Sequence, residues 1–197
     1  MRTLETMGNL YVALLHFPMR DVHQRVVATA ITSLDVVDIA RSCRTYAVRR
    51  YFVVHPIRSQ REIVERILEF WRGREPRHEA VRIVSVQEEL EDCLQEIRVL
   101  EKRDPLVLGT SARKGLPYPQ MGWEEAREFL RGEQPLLLLF GTGRGMAEEL
   151  LGACDALLPP IRAGSDYNHL SVRAAVAITL DRLKGEEDGD GRSHQNG

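Results

Sequence analysis

The sequence of 197 residues is poor in long apolar runs, in lysine and in paired cysteines. No apolar run approaches the roughly 20 residues that a helix needs to cross a bilayer, and the N-terminal residues lack an apolar region ending at a small-residue cleavage site. Cys43, Cys93 and Cys154 are widely spaced and form no Cys-x-x-Cys pair, which excludes a disulfide framework and a cysteine-rich zinc cluster. We therefore expect a soluble, cytoplasmic protein without a membrane segment.

Charge is unevenly distributed along the chain. Lys and Arg number 27 and Asp and Glu 29, for a formal net charge of −2, and only Lys102, Lys114 and Lys184 are lysines. Residues 1–82 carry 14 Arg against 9 acidic residues, whereas residues 83–197 are acidic overall. Arg is preferred over Lys where a flat guanidinium contacts phosphate, but genomic base composition explains the same preference, and both explanations stay open.

Apolar runs of strand length alternate with helical patterns. Strands are predicted over residues 9–17, 51–54, 81–84, 105–108, 135–140 and 156–158, and helices over 36–47, 59–71, 85–102, 123–130, 146–151 and 170–184. Asp35, Ser59 and Ser85 are predicted to cap the first three helices. The alternation predicts an α/β fold, a parallel sheet with helices on both faces. The domain is expected to span 1–184, and the apolar-free tail 185–197 to be disordered.

Three loops that follow apolar strands are candidates for a ligand site, because ligands bind beyond the carboxyl ends of the strands in such sheets. They are residues 109–111 (Gly-Thr-Ser), 141–145 (Gly-Thr-Gly-Arg-Gly) and 159–169. The second loop is not a phosphate-binding Walker A loop, because no Gly-Lys-Ser/Thr follows, and it lacks the third glycine of the dinucleotide fingerprint. A plain glycine-rich turn between strand and helix explains it equally well.

The start of the final helix is more specific. In the segment 166–173 (Asp-Tyr-Asn-His-Leu-Ser-Val-Arg), Asn168 and Ser171 both suit a helix start. Ala174, Ala175 and Ala177 give the helix a small-residue face that permits close packing and could accept a second subunit. A capped, tightly packed terminal helix is the alternative interpretation.

Residues 136–183 contain LLLLFGTGRG followed by DALLPPIRAGSDYNHLSVRAAVAITLDRL. This segment resembles the carboxyl half of the SPOUT superfamily of α/β-knot methyltransferases. Four further features are the segment ITSLDVVDIARSCRTYAVRRYFVVHP, Gln60, the FWRG segment and the Thr-Ser-Ala-Arg of 110–113. Together they resemble a small, single-domain branch that methylates RNA with S-adenosylmethionine (SAM). The resemblance implies a deep trefoil knot in the C-terminal half, an obligate homodimer that includes the last helix, and SAM as cofactor. The histidines show no metal-ligand spacing in the sequence, so we expect no metal site.

The resemblance also implies the residues of the cofactor pocket, which three loops would form. In chain order the cofactor-binding residues would be Leu108, Gly109, Thr110, Phe140, Gly141, Thr142, Gly143, Leu157, Pro160, Ile161, Gly164, Asn168, Leu170 and Ser171.

The catalytic candidates are Arg41, Asp38, Asp166 and His169. Residues 35–41 match the superfamily's first motif, in which the seventh position, here Arg41, lies near the transferred methyl and is often contributed across the dimer. Asp35 stands where many members have Asn. Asp38, Asp166 or His169 could accept a proton from a neutral nucleophile, and which of them does so stays open.

RNA binding is expected in the N-terminal half, where Arg41, Arg44, Arg49, Arg50 and Arg58 cluster. A cluster beside a cofactor cleft could follow phosphates, although a solvated surface is the plainer interpretation. The substrate would be a structured RNA, tRNA or rRNA, methylated on a base or ribose atom. The alternatives are a knotted dimer that binds RNA without catalysis, and a nucleotide- or flavin-dependent enzyme.

Overall fold

The computed structural model of the protein describes residues 9–165 and 167–186. Its strands are β1 (Leu10–Leu15), β2 (Met19–Arg20), β3 (Val26–Val27), β4 (Arg50–Val54), β5 (Val84–Gln87), β6 (Leu106–Gly109), β7 (Leu136–Gly141) and β8 (Ala156–Leu157). Six of them form a parallel sheet in the order β5-β4-β1-β7-β6-β8, and β2 and β3 form a separate antiparallel pair. The predicted α/β fold is confirmed.

Helices cover both faces of the sheet. They are α1 (Ser33–Thr45), α2 (Arg58–Trp71), α3 (Arg77–Val81), α4 (Leu90–Glu101), α5 (Trp123–Leu130), α6 (Glu148–Gly152) and α7 (Val172–Lys184). One apolar core lies between the sheet and α1, α2, α3, α5 and α7, and a second core lies between the sheet and α4 and α6. The central strand β1 is therefore buried on both faces along its whole length, and β7 is buried up to Phe140.

None of the helices in residues 9–165 and 167–186 is long and apolar enough to cross a membrane.

Helix α1 begins earlier than its sequence pattern predicts. Thr32 is its N-cap, and the Thr32 hydroxyl oxygen accepts a hydrogen bond from the Asp35 backbone N–H at 3.1 Å. The Thr32 hydroxyl also donates to the Asp35 carboxylate at 2.7 Å. The prediction that Asp35 caps this helix is therefore wrong, because Asp35 lies inside the first turn.

The third strand begins later than predicted, so residues predicted for this strand or for the cap of the next helix lie in other elements. Val81 ends α3, and β5 starts only at Val84. Ser85, predicted as a cap, lies within β5 and donates to the Glu96 carboxylate at 2.9 Å. Ser59 is not a cap either, because α2 already begins at Arg58 without a side-chain cap. Both capping predictions are wrong.

Helix α7 begins two residues after its predicted start, with Ser171, one of the two predicted start residues, as its cap, and it runs alongside α1. The Ser171 hydroxyl oxygen caps α7 by accepting from the Ala174 backbone N–H at 3.2 Å. The two helix starts are joined by an ion pair between Arg173 and Asp35 at 3.2 Å, and their ends by a hydrogen bond from Tyr46 to Asp181 at 2.9 Å. The helices therefore run in the same direction, and α7 buries one face within its own subunit.

Candidate functional site

Three strands end side by side at the carboxyl edge of the sheet. Gly109, the last residue of β6, pairs with Leu139 of β7 and with Leu157 of β8. The Leu158 backbone N–H donates to the Gly109 carbonyl at 2.9 Å, and the Thr110 N–H donates to the Leu139 carbonyl at 3.1 Å. The loops after β6, β7 and β8 therefore leave the sheet at one edge, as their sequences predict.

The loop before α7 contacts the loop after β6. The Asn168 side-chain amide donates to the Ala112 carbonyl at 3.1 Å. Ala112 belongs to the Thr-Ser-Ala-Arg segment, and Asn168 lies three residues before the Ser171 cap. Leu170 lies between them with its side chain about half exposed, at 47%. The structure thus brings two of the three candidate loops together.

The backbone between β8 and α7 is largely available to a ligand. Residues 159–165 and 167–170 make no backbone–backbone hydrogen bond within the described part of the chain. Pro160 and Ile161 are half-buried, whereas Gly164 is exposed. A Cβ atom added to Gly164 would meet no atom within 4 Å. This loop therefore leaves most of its described N–H and C=O groups without a backbone partner, and Gly164 faces open space.

Two glycines that end strands at this edge are required by packing. A Cβ on Gly109 would lie 2.6 Å from Leu157 Cδ2 and 2.8 Å from Cys154 Sγ. A Cβ on Gly141 would lie 3.0 Å from the Met146 backbone nitrogen.

Gly143 is required by its backbone conformation, because its φ is +59°. A Cβ there would also lie 3.1 Å from the Thr29 methyl. Close packing at Gly109 and Gly141 and the turn conformation of Gly143 therefore explain these three glycines without any ligand. Among the four glycines predicted to bind the cofactor, only Gly164 has open space.

The other side of the carboxyl edge, after β1 and β4, is closed by the segment that precedes α1. The Thr29 N–H donates to the His16 carbonyl at 2.9 Å, and the Thr29 hydroxyl oxygen lies 2.5 Å from that of Thr142. Thr142 is buried and also donates to the Leu15 carbonyl at 3.2 Å. The hydroxyl of this predicted cofactor residue is thus used within the protein.

Two histidines lie under this segment, with ring centroids 5.5 Å apart. His55 Nδ1 accepts from the Ile57 N–H at 3.0 Å, so Nε2 carries the proton and donates to the Thr29 carbonyl at 2.9 Å. His16 is fully buried, and neither of its ring nitrogens has a partner at hydrogen-bonding geometry in the described chain. Burial, with His55 alongside, lowers the pKa of His16 to about 4, although the carbonyls of Leu14 and Val54 partly oppose the shift.

This histidine pair is not among the site residues predicted from the sequence. His16 and His55 are 39 residues apart and have no ligand spacing, but each directly follows an apolar strand, and the pairing of Leu15 with Val54 places them together. That position is the signal that could have found them. No group of three or more His, Cys, Asp or Glu able to hold a metal ion occurs in the described residues.

Glu148 anchors the Thr-Ser-Ala-Arg loop to the edge. Its carboxylate accepts from Arg113 at 2.5 Å, from Arg20 at 2.7 Å and from the Tyr118 hydroxyl at 3.0 Å. The hydrogen bond from Arg113, together with the hydrogen bond from Tyr118 and the charge of Arg20, holds the pKa of Glu148 below its ordinary value. This cluster joins the loop after β6 to β2 and to the first residue of α6, and so fixes one wall of the candidate site.

The residues of the first motif form a charged chain along α1. Arg173 lies 3.2 Å from the Asp35 carboxylate and 3.9 Å from that of Asp38, and Asp38 lies 3.7 Å from Arg41. The carboxylate of Asp35 is thus occupied by a residue of α7. The Arg41 side chain is 57% exposed and borders a groove of about 310 Å³ towards α3.

The remaining catalytic candidates are less defined by their contacts. His169 is exposed and meets the Tyr167 ring edge-on, with centroids 5.3 Å apart. Asp166 lies outside the described residues. The structure therefore places Asp38 and Arg41 on α1 and His169 on the loop before α7.

The five arginines predicted to follow RNA all have carboxylate partners. The pairs are Arg41–Asp38, Arg44–Glu79, Arg49–Glu101, Arg50–Glu96 and Arg58–Glu62. Arg50 is also the first residue of β4 and lies at the amino edge of the sheet, opposite the candidate loops. The structure does not gather these five side chains at the site.

Residues 9–185 match the model of a family described as SAM-dependent RNA methyltransferase. The chain belongs to this family. An uncharacterised protein from Aquifex aeolicus is 36% identical over 181 residues, which are 89% of this chain and 88% of that protein. A tRNA (guanine-N(1)-)-methyltransferase from Oleidesulfovibrio alaskensis is 38% identical over 184 residues, which are 90% of this chain. The chain spans only 42% of that longer protein's length.

The fold is that of the SPOUT methyltransferases. The SpoU methyltransferase AviRb from Streptomyces viridochromogenes, solved in complex with AdoMet (SAM), superposes with a TM-score of 0.56 at 14% identity, over 93% of this chain and 61% of that one. The predicted family and its cofactor SAM are confirmed by the family match. Membership of this family also favours a methyltransferase over a nucleotide- or flavin-dependent enzyme.

Proposed function

We propose that the chain is a catalytic domain that transfers a methyl group from SAM to a structured RNA, tRNA or rRNA, with the donor held by the loops after β6, β7 and β8. The observation that carries the proposal is the third loop, where residues 159–165 and 167–170 make no backbone–backbone hydrogen bond within the described chain and Gly164 faces open space. Amide and carbonyl groups of this kind recognise an adenine without charged side chains. Family membership supports the same assignment.

The proposed pocket residues divide into two kinds. Gly109, Gly141 and Thr142 shape the edge by close packing and an internal hydrogen bond. Pro160, Gly164 and the other pocket residues of the third loop have exposed or half-buried surface that a ligand can contact. Those other residues of the third loop are Ile161, Asn168, Leu170 and Ser171. Outside it, Thr110 and Gly143 have accessible surface, whereas Leu108, Phe140 and Leu157 are buried within the packed edge.

When bound, SAM supplies an activated methyl group, so the protein mainly has to orient the RNA acceptor atom in line with it. A guanidinium keeps its proton at neutral pH, so the proposed role of Arg41 is to hold a phosphate or to stabilise negative charge on the nucleophile. Asp38, Asp166 and His169 are the proposed proton acceptors.

The proposed assembly is a homodimer formed through α7, in which Arg41 of one subunit serves the site of the other. Its side chain is exposed on α1 and is not enclosed by the candidate loops of its own chain. Ala174 and Ala177 of α7 are only half-buried in the single chain. The C-terminal knot and the domain limits 1–184 belong to the same proposal. Sedimentation at micromolar concentration would contradict the dimer by showing a monomer.

The pocket is tested by Gly164→Val with calorimetric titration of SAM. Because a Cβ at Gly164 meets nothing within 4 Å, the variant should melt like the unmodified protein and bind SAM at least tenfold more weakly. Unchanged SAM affinity in Gly164→Val would show that the pocket lies elsewhere.

Catalysis is tested by Arg41→Ala, with tritiated SAM and RNA from cells that lack the gene. We expect normal folding and near-normal SAM binding but a loss of methyl transfer by orders of magnitude, and poor rescue by Arg41→Lys, which lacks the planar fork. Transfer at close to the normal rate would make Arg41 a surface residue. RNA binding without any transfer by the unmodified protein would favour the non-catalytic alternative.

A further inference from the structure

Five arginines in residues 66–82, a stretch that runs from α2 to just before β5, differ from the other described arginines of the N-terminal half because no carboxylate pairs with them. In the described chain, no ion pair is formed by Arg66, Arg72, Arg74, Arg77 or Arg82. The same stretch contains three glutamates, so it keeps two positive charges in excess. One of these glutamates, Glu79, is already paired with Arg44. Unpaired guanidinium groups are available to an anionic partner.

Two of these guanidinium groups are held in place by aromatic rings. The Arg74 guanidinium carbon lies 3.9 Å from the Phe70 ring centre, and that of Arg77 lies 4.7 Å from the Trp71 ring. The two rings meet edge to face, with centroids 5.0 Å apart. A cation–π contact uses the flat face of the guanidinium and leaves its N–H donors, which lie in the plane, free for oxygen acceptors.

Beside them lies an apolar groove of about 500 Å³, lined by Ser33, Ile63, Arg66, Ile67, Phe70 and Trp71. Phe70 is 54% exposed, which is unusual for a side chain of its size. An apolar, partly aromatic floor with guanidinium groups at its rim fits a polymer of flat bases joined by phosphates. The groove begins at Ser33, two residues from Asp35, which is paired with Arg173 at the start of α7.

We propose that this groove, the Phe70 groove, binds an unpaired segment of the RNA substrate, with bases against Phe70 and Ile63 and phosphates on Arg74 and Arg77. The proposal rests on the proposed function, because it takes RNA as the substrate. Charge favours RNA over a second copy of the chain, since a symmetric contact would bring the same unpaired arginines together. The groove replaces the ion-paired cluster that the sequence analysis predicts as the phosphate track.

The test is the double variant Arg74→Ala/Arg77→Ala, measured by fluorescence anisotropy with a labelled 20-nucleotide unstructured RNA and with bulk tRNA. We expect binding at least tenfold weaker. We also expect a less steep dependence of log affinity on log salt, by about 1.4 for two lost phosphate contacts at about 0.7 each on a single strand. The matched control, Arg103→Ala/Arg131→Ala, removes two arginines that are paired with Glu133 and Glu128 and should keep both affinity and slope.

A second variant separates the ring from the charge. Phe70→Leu keeps an apolar side chain in the groove but removes the ring beneath Arg74, so we expect RNA binding a few-fold weaker with an unchanged salt slope. Equal losses in the double variant and in its control would overturn the proposal, because they would reflect overall charge alone. Unchanged RNA binding in the double variant would overturn it as well.

Calorimetry with SAM and sedimentation accompany each variant. Normal SAM binding and methyl transfer with unchanged RNA affinity would reject the Phe70 groove and leave the proposed function standing. Absence of SAM binding in the unmodified protein would instead reject the proposed function. A change of oligomeric state in Arg74→Ala/Arg77→Ala without a change in RNA affinity would overturn the proposal and make the groove a contact between copies.

Discussion

The two sides of the carboxyl edge of the sheet are built from the same kind of parallel strand and are finished differently. After β1 and β4, residues 28–32 cross the edge, and Thr29 uses its backbone and hydroxyl groups to hold His16, His55 and Thr142 beneath it. After β6 and β8, the described residues 159–165 and 167–170 make no backbone–backbone hydrogen bond, and Gly164 is uncovered. A parallel sheet offers an edge for binding, and the connecting segments decide which part of that edge is open.

Glycine has a different role at two positions of this edge. At Gly141 the missing Cβ lets Met19 and Met146 pack against the strand end, whereas at Gly164 it leaves open space. A glycine-rich motif therefore does not mark a ligand site by itself. Substitutions at the two positions separate packing from binding.

The largest stability effect is expected for Gly141→Ala. The added Cβ would lie 2.7 Å from Met146 Cγ and 3.0 Å from both the Met146 nitrogen and Met19 Sδ. Overpacking of this kind costs about 3 kcal/mol when backbone must move, and chemical denaturation would measure the loss. Gly164→Ala, by contrast, should leave stability unchanged or raise it by about 0.5 kcal/mol through the unfolded state.

Equal stability of these two alanine variants would contradict the contrast between a packed and an open glycine. A large loss of stability in Gly164→Ala but not in Gly141→Ala would show that Gly164 is the packed position and Gly141 the open one. SAM affinity is the second measurement, and it should fall further in Gly164→Val than in Gly164→Ala because the larger side chain fills more of the space.

The closed side should make the protein less stable in acid. His16 is fully buried and its pKa is lowered from 6.5 to about 4. Between these two pH values the unfolded chain therefore binds more protons than the folded one. The free energy of unfolding is not reduced by His16 above pH 6.5, and it falls as the pH decreases from 6.5 to about 4. Between pH 7 and pH 5 the loss from this group amounts to about 2 kcal/mol.

His16→Leu tests that dependence, because it keeps a similar volume and cannot be protonated. Chemical denaturation measures the fall in the free energy of unfolding between pH 7 and pH 5. In His16→Leu this fall should be about 2 kcal/mol smaller than in the unmodified protein. His23→Gln changes an exposed histidine and should keep the original dependence. An unchanged difference between pH 7 and pH 5 in His16→Leu would show that other groups control the acid response.

The sequence predicts the features that depend on residues close together in the chain. The six sheet strands follow from apolar runs, although β5 begins three residues later than predicted, and the Ser171 cap follows from local hydrogen bonding. The partners of Arg49 and Arg50 could not be predicted, because Glu101 and Glu96 lie about 50 residues away and reach them only after β4 has paired with its neighbours. The same holds for the contact of His16 with His55, which depends on the register of β1 and β4.

The smallest expected effect compares the caps of two helices, one on each side of the edge. Thr32 caps α1 on the closed side and Ser171 caps α7 on the open side, each by accepting from a backbone N–H three residues later. Replacing either with alanine should cost about 1 kcal/mol, the usual value for a lost N-cap. Thr32→Ala should leave SAM affinity unchanged, because residues 28–32 cover the closed side. Ser171→Ala should lose the same stability and also bind SAM more weakly. Equal SAM affinity in both variants would limit Ser171 to capping and remove it from the proposed pocket.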